Sequence, residues 1–276
     1  MSRGIPPKKS LGQNFLTDRG VLEKIAAAAA INPTDHILEI GPGKGALTEQ
    51  LLNGGANVVA IELDKRLIDH LEQQFVPTNR FEVIQADILK VNLAEELAQR
   101  FPGRWKVVAN LPYNISTQVL FQLLDERGRF SILLLMLQKE VGDRLAATPS
   151  TKEYGILSVF FQLYFDIRRE FLVRPGSFYP VPKVDSVVLS FVPLVAPRED
   201  VGDYSVFRKI VKAAFGQRRK TLWTCLKTLF PDMSSADLTE FFLKANIDRT
   251  RRGETLSLHE FAVLSQVFSG PGRSTP

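Results

Sequence analysis

Five short apolar runs recur through the first half of the chain, and helical periodicity fills the gaps between them. The runs are HILEI (residues 36–40), NVVAIEL (57–63), FEVIQAD (81–87), WKVVAN (105–110) and SILLLML (131–137). Between them lie ALTEQLL (46–52), a charged amphipathic stretch (65–75) and two further helical patterns (93–100 and 117–125). A strand that reaches its neighbour through a helix pairs with it in parallel, whereas antiparallel neighbours need only a tight turn. The crossovers are right-handed and lay helices over both faces of one sheet. This alternation predicts an α/β fold with a mostly parallel sheet. A helix ahead of the first run is also expected, with Thr17 and Asp18 offering an N-cap, running to about Ala30 and stopped by Pro33.

Later the pattern changes. SVFFQLYFDIRREFLV (158–173) and VDSVVLSFVPL (184–194) have less helix between them, as a final antiparallel pair at one sheet edge would. With the five earlier runs they complete a seven-stranded sheet. VAPREDVGD (195–203) is polar and turn-rich, and the pattern beyond it is helical to about Phe268. The expected division is therefore an α/β domain at 1–195 and a small helical domain at 196–276, whose SGPGRSTP end is disordered. The first twelve residues, with Pro6-Pro7 and Lys8-Lys9, read as a flexible basic arm.

The 276 residues are 45% hydrophobic, enough for a core of this size, and the formal charge of +5 favours an anionic partner. The single cysteine, Cys225, excludes an internal disulfide and a multi-cysteine zinc site. His36, His70 and His259 are far apart in sequence, so no metal centre is expected. The basic start lacks an apolar core of signal-peptide length, and IAAAAAI (25–31) and SILLLML are too short to span a bilayer. A soluble cytoplasmic protein with no membrane association is expected. No extended apolar seam demands a dimer, which points to a monomer.

In open α/β sheets, ligands bind at the carboxyl ends of the strands. The first run ends at Glu39 and GPGKG (41–45), the second at Glu62, the third at Asp87 and the fourth at NLPY (110–113). Glycines in such a loop let a ligand approach the backbone. GPGKGA also fits the G-x-G-x-x-[G/A] dinucleotide fingerprint, and Glu62 lies 21 residues after Gly41, where a carboxylate would grip ribose hydroxyls. These features serve nicotinamide enzymes and other nucleoside-cofactor enzymes alike. Asp87 adds an acid able to accept a hydrogen bond from an adenine amino group. No G-x-x-x-x-G-K-[ST] motif is present, which disfavours phosphoryl transfer.

NLPY suggests the chemistry. An adenine amino group is a poor nucleophile because its lone pair is delocalised into the ring. A site that activates it holds its hydrogens with acceptors and directs the lone pair at an electrophile. The Asn110 side-chain oxygen is one acceptor. The backbone carbonyl of Leu111 is a second, since Pro112 restricts that residue to extended geometry. Tyr113 offers a flat face for an extruded base. No strong base is needed, because the proton becomes acidic once carbon bonds to nitrogen, and positioning carries most of the rate. Placed after the fourth strand, the N-x-P-[YF] turn reads as an amino-group methylation site.

The ordered set LGQNFL (11–16), EIGPGKGALT (39–48), IELD (61–64), QADIL (85–89), NLPYNIS (110–116), LQKEVGDRL (137–145), YGILSV (154–159), FYPVPKVDS (178–186) and FGQRRKTL (215–222) resembles the ribosomal RNA adenine dimethyltransferases. The resemblance covers about residues 10–265, and within the family it is strongest to the bacterial small-subunit enzymes. It implies a Rossmann-like class I methyltransferase that uses S-adenosylmethionine. The substrate it implies is a pair of adjacent adenosines in the 3′-terminal hairpin of small-subunit rRNA, in an already assembled ribosomal subunit. It further implies that Asn14 and Leu16 line the cofactor pocket and that Gly41 and Gly43 contact the methionine moiety. Glu62 would hold the ribose and Asp87 the adenine amine, with Ile88 beside the ring. Asn110 would lie between cofactor and target, and Tyr113 and Phe178 would sandwich the flipped adenine. Every one of these motif positions is kept.

The stretch 204–231 contains seven Lys or Arg and no Asp or Glu. Its apolar residues recur at helical spacing, so its basic residues are expected on an outward helical face suited to RNA phosphates. Arg208, Lys212, Arg218, Arg219 and Lys220 are the candidates there, extended by Arg249, Arg251 and Arg252. Arg144 and Lys152 flank ATPSTKEYG (147–155), expected to be a mobile loop that touches RNA. Three alternatives stay open. Large-subunit rRNA methyltransferases of the macrolide-resistance type share much of the pattern, although LGQNFL, NLPYNIS and FGQRRKTL favour the small-subunit type. A non-catalytic factor in ribosome assembly, or in transcription as among mitochondrial relatives, would not need an intact NLPY. A nicotinamide-dependent dehydrogenase accounts for the glycine loop but not for NLPY, Phe178 or the basic stretch.

Overall fold

The structure, a computed structural model, describes residues 5–8 and 11–269. The expected disorder at the chain's end falls on residues outside this set, as does part of the N-terminal arm. Strand β1 (Phe15–Leu16) and helix α1 (Arg19–Ala28) precede an alternating series: β2 (His36–Ile40), α2 (Ala46–Asn53), β3 (Asn57–Glu62), α3 (Lys65–Phe75), β4 (Phe81–Gln85), α4 (Leu93–Arg100), β5 (Trp105–Asn110), α5 (Ser116–Asp125) and β6 (Phe130–Gln138). Then come α6 (Lys139–Leu145), α7 (Ile156–Tyr164), β7 (Phe165–Val173), β8 (Phe178–Tyr179) and β9 (Ser186–Pro193). The last elements are helices α8 (Tyr204–Gly216), α9 (Leu222–Leu229), α10 (Ser235–Ala245) and α11 (Leu258–Ser269).

Among the described residues, seven strands form one sheet in the order β4-β3-β2-β5-β6-β9-β7. Strands β2 to β6 pair in parallel, and β9 runs antiparallel to β6. The central strands read as unbroken apolar runs because both sheet faces are covered, and Ile37, Leu38, Val107 and Val108 are fully buried. Edge strand β4 is less buried: of its five residues only Phe81 is buried. Side-chain carboxylates and amides start the helices. Asp18, Asp64 and Asn92 accept N–H bonds at the first turns of α1, α3 and α4.

One apolar run folds differently from expectation. Residues 158–164 belong to helix α7, and the strand begins only at Phe165. Helix α7 buries Leu157, Val159, Phe160, Phe161 and Leu163, so it is apolar nearly all round. A helix covered on every side lacks the one-sided period that separates it from a buried strand.

The chain divides into two units. One comprises residues up to Gly142 together with Asp166–Pro193; the other comprises Asp143–Phe165 and the residues from Leu194 onward. The division expected at 195/196 falls at 193/194, and 143–165 groups with the helical unit instead of the sheet. A boundary read along the chain is a single cut, whereas units defined by packing are free to exchange segments. Among the described residues, no helix is long and apolar enough to cross a membrane.

The loop between β2 and α2 depends on glycine. Gly45 has φ +81°, and a Cβ there would stand 2.3 Å from the Phe75 ring and 2.9 Å from Leu71 Cδ2. Gly45→Ala is expected to cost about 2–4 kcal/mol through backbone strain and overpacking. Chemical denaturation reads this directly, and an unshifted midpoint would mean that α3 yields to the extra methyl.

Candidate active site

The carboxyl ends of β2, β3, β4 and β5 open onto one cavity within the first unit. Its walls are residues 11–16, 39–44, 46–47, 61–63, 86–89 and 110–115. The eight residues expected to bind cofactor (Asn14, Leu16, Gly41, Gly43, Glu62, Asp87, Ile88 and Asn110) all line it, as do Leu111, Pro112 and Tyr113. Residues 11–16 arrive from far along the chain because β1 pairs antiparallel with β8, Phe15 opposite Tyr179 and Leu16 opposite Phe178. Phe178 is not part of the lining. Its side chain is buried, 2% exposed, in the core cluster that also contains Leu16, its partner across the β1–β8 ladder.

The glycine loop takes left-handed backbone at Gly41 (φ +67°) and Gly43 (φ +61°). A Cβ on Gly43 would press on the Phe15 ring at 3.0 Å. The missing side chain leaves the Gly43 N–H free to reach Glu62 Oε2 at 3.3 Å. Glu62 Oε1 accepts from the N–H groups of Leu63 and Asp64, each at 2.9 Å. Burial raises the Glu62 pKa, and these three backbone donors oppose the rise. The carboxylate is thereby held in one orientation at the cavity wall.

Glu39 lies deeper, 1% exposed, and accepts a 2.6 Å bond from the Thr48 hydroxyl. Burial pushes its pKa up to about 8, the Thr48 bond pulls it down, and the nearby Glu62 charge adds to the rise. Asp64 is the reverse case: the Arg66 side chain holds its carboxyl well below the usual range despite burial.

Asn110 ends β5, and its Nδ2 donates to the Asn14 carbonyl at 3.3 Å. That bond uses one of the amide's two N–H donors and leaves Oδ1 as an acceptor. Tyr113 is fixed through its hydroxyl, which shares a 2.6 Å hydrogen bond with Ser186 Oγ, fully buried at the start of β9. Burial raises the Tyr113 pKa, keeping the phenol neutral. Sequence reasoning gave no role to Gln13, Asp64 or Ser186, although each sits within a quoted motif. Their partners lie 51, 51 and 73 residues away, so no local pattern marks them.

The basic residues nominated for RNA all lie in the second unit. The expected continuous basic helix is interrupted. Helix α8 ends at Gly216, and α9 starts after Thr221, whose hydroxyl caps Thr224 N–H. Arg218, Arg219 and Lys220 therefore sit in the turn between them, exposed, while Arg208 and Lys212 are on α8. The Arg208 guanidinium lies 5.8 Å from the Tyr204 ring centroid. Arg218 donates to the carbonyls of Lys152 (2.7 Å) and Tyr154 (3.4 Å). The 147–155 segment is pinned: Ser150 N–H bonds the Glu254 carbonyl, and Gln162 holds the carbonyls of Leu145 and Ala147. Arg144, at its edge, is exposed. Arg251 pairs with Glu260, and Arg249 lies 4.5 Å from the Trp223 ring centroid.

Between pH about 4.5 and 8, folded Glu39 keeps a proton that the unfolded chain has released. Stability therefore falls with rising pH across that window, by up to about 1.4 kcal/mol per pH unit from this group. Glu39→Gln keeps the shape and removes the titration. Its denaturation free energy is expected to fall less steeply between those limits than that of the parent chain. Parallel profiles would show that Glu39 is ionised in the fold.

Comparison with known proteins matches this geometry to a family. Residues 6–263 fit the family model described as ribosomal RNA adenine dimethylase. The chain is 59% identical to a protein of Geobacter metallireducens and 56% identical to one of Geobacter sulfurreducens, over 98% of each chain in both cases. Both are named Ribosomal RNA small subunit methyltransferase A. A crystal structure of a dimethyladenosine transferase from Plasmodium falciparum superposes with TM-score 0.73 at 27% identity, covering 91% of this chain and 95% of that one. The 23S rRNA methyltransferase ErmE shares the fold at TM-score 0.68 and 23% identity, over 93% of this chain and all of that one. The sheet and helices are thus those of a Rossmann-like methyltransferase, and this chain belongs to the ribosomal RNA adenine dimethylase family.

Proposed function

We propose that the chain transfers methyl groups from S-adenosylmethionine to the exocyclic amines of two adjacent adenosines in the 3′-terminal hairpin of small-subunit rRNA, giving N6,N6-dimethyladenosine. The observation that carries the reaction type is the Asn110 amide. One of its two N–H donors is engaged by the Asn14 carbonyl, and its acceptor belongs to a residue of the same cavity wall as the glycine loop and Glu62. The names of the close relatives support small-subunit rRNA as the substrate.

The cavity fits the donor by the chemistry of its walls. Gly41 and Gly43 leave room for the methionine moiety against the backbone. Glu62 receives the ribose hydroxyls, and Asp87 the adenine amine beside Ile88. Asn14 and Leu16 close the wall from the N-terminal side. When bound, S-adenosylmethionine supplies a methyl carbon made electrophilic by its sulfonium. Asn110 Oδ1 and the Leu111 carbonyl accept the hydrogens of the target amine and turn its lone pair away from the ring. Pro112 holds Leu111 extended for that purpose. Tyr113, its ring held by Ser186, stacks on the extruded base. Phe178 forms the second face of the sandwich around that base, and its ring, 2% exposed, must turn out of the core to stack.

In the second unit, Arg208, Lys212, Arg219 and Lys220 meet rRNA phosphates, with Arg144 as a further contact and Arg218 shaping the surface through Lys152 and Tyr154. Recognition of the duplex is then by shape and charge, with base readout confined to the flipped adenosine. The substrate is an assembled small-subunit particle, and the enzyme acts as a cytoplasmic monomer.

The decisive assay is methyl transfer from labelled S-adenosylmethionine to undermethylated small subunits, with modified nucleosides mapped. Dimethyladenosine in the 3′-terminal hairpin is expected; label confined to large-subunit rRNA would move the assignment to the resistance-type branch. Asn110→Ala is expected to keep fold and RNA binding and to lose at least about 100-fold in turnover. Normal turnover would remove Asn110 from the mechanism. Neutralising Arg219 and Lys220 together is expected to weaken RNA binding and lower the salt slope by about 1–2. An unchanged slope would take that turn out of the interface.

A further inference from the structure

We propose that Asp64 is a positioning residue for donor binding, fastening through Gln13 the N-terminal residues that wall one side of the cavity. The inference rests on the donor cavity assigned above and extends it to a residue that has no direct part in the chemistry.

Asp64 is 3% exposed, and a carboxylate that deeply buried is costly unless its oxygens are paired. Arg66 takes one share, with Nε 3.0 Å from Oδ1 and Nη2 2.5 Å from Oδ2. Gln13 Nε2 takes another at 3.2 Å from Oδ2, across 51 residues of sequence. Gln13 Oε1 in turn accepts the Lys8 backbone N–H at 2.7 Å. The Gln13 amide thus has one end on the sheet unit and the other on the N-terminal segment.

The geometry gives this contact a purpose. The ladder to β8 reaches only Phe15 and Leu16. Upstream of it, side chains hold the segment to the site: Gln13 to Asp64, Lys8 Nζ to Asp64 Oδ1 at 3.7 Å, and Asn110 Nδ2 to the Asn14 carbonyl. Residues 11–14 nevertheless form cavity wall. Asp64 also donates its backbone N–H to Glu62 Oε1 at 2.9 Å. One residue therefore registers both the N-terminal wall and the proposed ribose acceptor. Loss of the Gln13 contact loosens the wall, which the Asn14–Asn110 bond and the Lys8–Asp64 pair then hold without it, and leaves the sheet intact, so the penalty falls on donor affinity.

Asp64 also caps α3, accepting Arg66 N–H, and a cap alone would explain its burial. Two variants separate the roles. Gln13→Ala leaves the cap untouched. Asp64→Ser retains a capping hydroxyl that is too short to reach Gln13. The full chain would be measured by hydrogen exchange without ligand and by calorimetry with S-adenosylhomocysteine. In both variants, residues 11–16 are expected to exchange about tenfold faster and S-adenosylhomocysteine to bind about tenfold more weakly. The double variant should lose no more affinity than Asp64→Ser, as expected for two ends of one contact. In turnover assays the loss should appear in KM for the donor more than in kcat, with affinity for the RNA hairpin retained. Equal exchange and equal affinity in Gln13→Ala would overturn the proposal, as would additive losses in the double variant. A parent chain that binds no S-adenosylhomocysteine would overturn the donor assignment itself, and this inference with it. A parent chain that binds while Gln13→Ala binds equally well overturns this inference alone.

Discussion

Parallel pairing of β2 with β3 in one register is the constraint on which the site depends. His36 stands opposite Asn57 and Ile40 opposite Ile61, so the glycine loop leaves β2 beside the point where β3 ends in Glu62. Side chains alternate along a strand, and a slip of one residue would turn Glu62 to the other face of the sheet. In this register the Gly43 N–H reaches Glu62 across the gap, and the adjoining turn supplies two more N–H donors to the same carboxylate. The central position of β2, between β3 and β5, also brings NLPY to the same cavity.

Three acids then share a small buried region, and each is accommodated differently. Glu39 has a hydroxyl donor and no cation, so burial dominates and it holds a proton. Glu62 is supported by backbone dipoles, which offset part of the desolvation cost without adding a competing side chain. Asp64 has the Arg66 guanidinium and stays ionised. Of the two acids without a cation, Glu39 is the less exposed, at 1% against 7% for Glu62. Keeping Glu39 neutral reduces repulsion at Glu62, the carboxylate assigned to the ribose.

The second unit shows why charge in a sequence is a poor guide to what a side chain does. Arg218, Arg219 and Lys220 are consecutive, yet Arg218 is committed to the carbonyls of the 147–155 segment. That segment carries the small and polar residues expected of a mobile loop. It is held instead by backbone and side-chain bonds from residues distant in sequence, including Gln162, Arg218 and Glu254. Arg251 and Lys227 are likewise engaged, with Glu260 and the Met233 carbonyl. A guanidinium can donate to a phosphate or to a carbonyl, and which of them it meets depends on its neighbours in the fold.

The alternation of strands and helices, and with it the parallel sheet and its ligand-bearing edge, was legible in the amino-acid pattern. That information is local: apolar period, capping residues and glycine placement act over a few residues. It also placed Gly41, Gly43, Glu62, Asp87 and Asn110 at strand ends, because strand ends are local features too. Resemblance to a family, and not periodicity, singled out Asn14 and Phe178. Tertiary structure decided the rest. It made 156–164 a helix, since a segment buried on all sides carries no one-sided period. It drew 143–165 into the helical unit and broke the basic stretch at Gly216. It paired Phe178 with Leu16 across the β1–β8 ladder and joined Gln13 to Asp64 and Tyr113 to Ser186. Such pairings depend on how distant segments pack, and each partner's local sequence is compatible with many neighbours until the sheet brings one of them within reach.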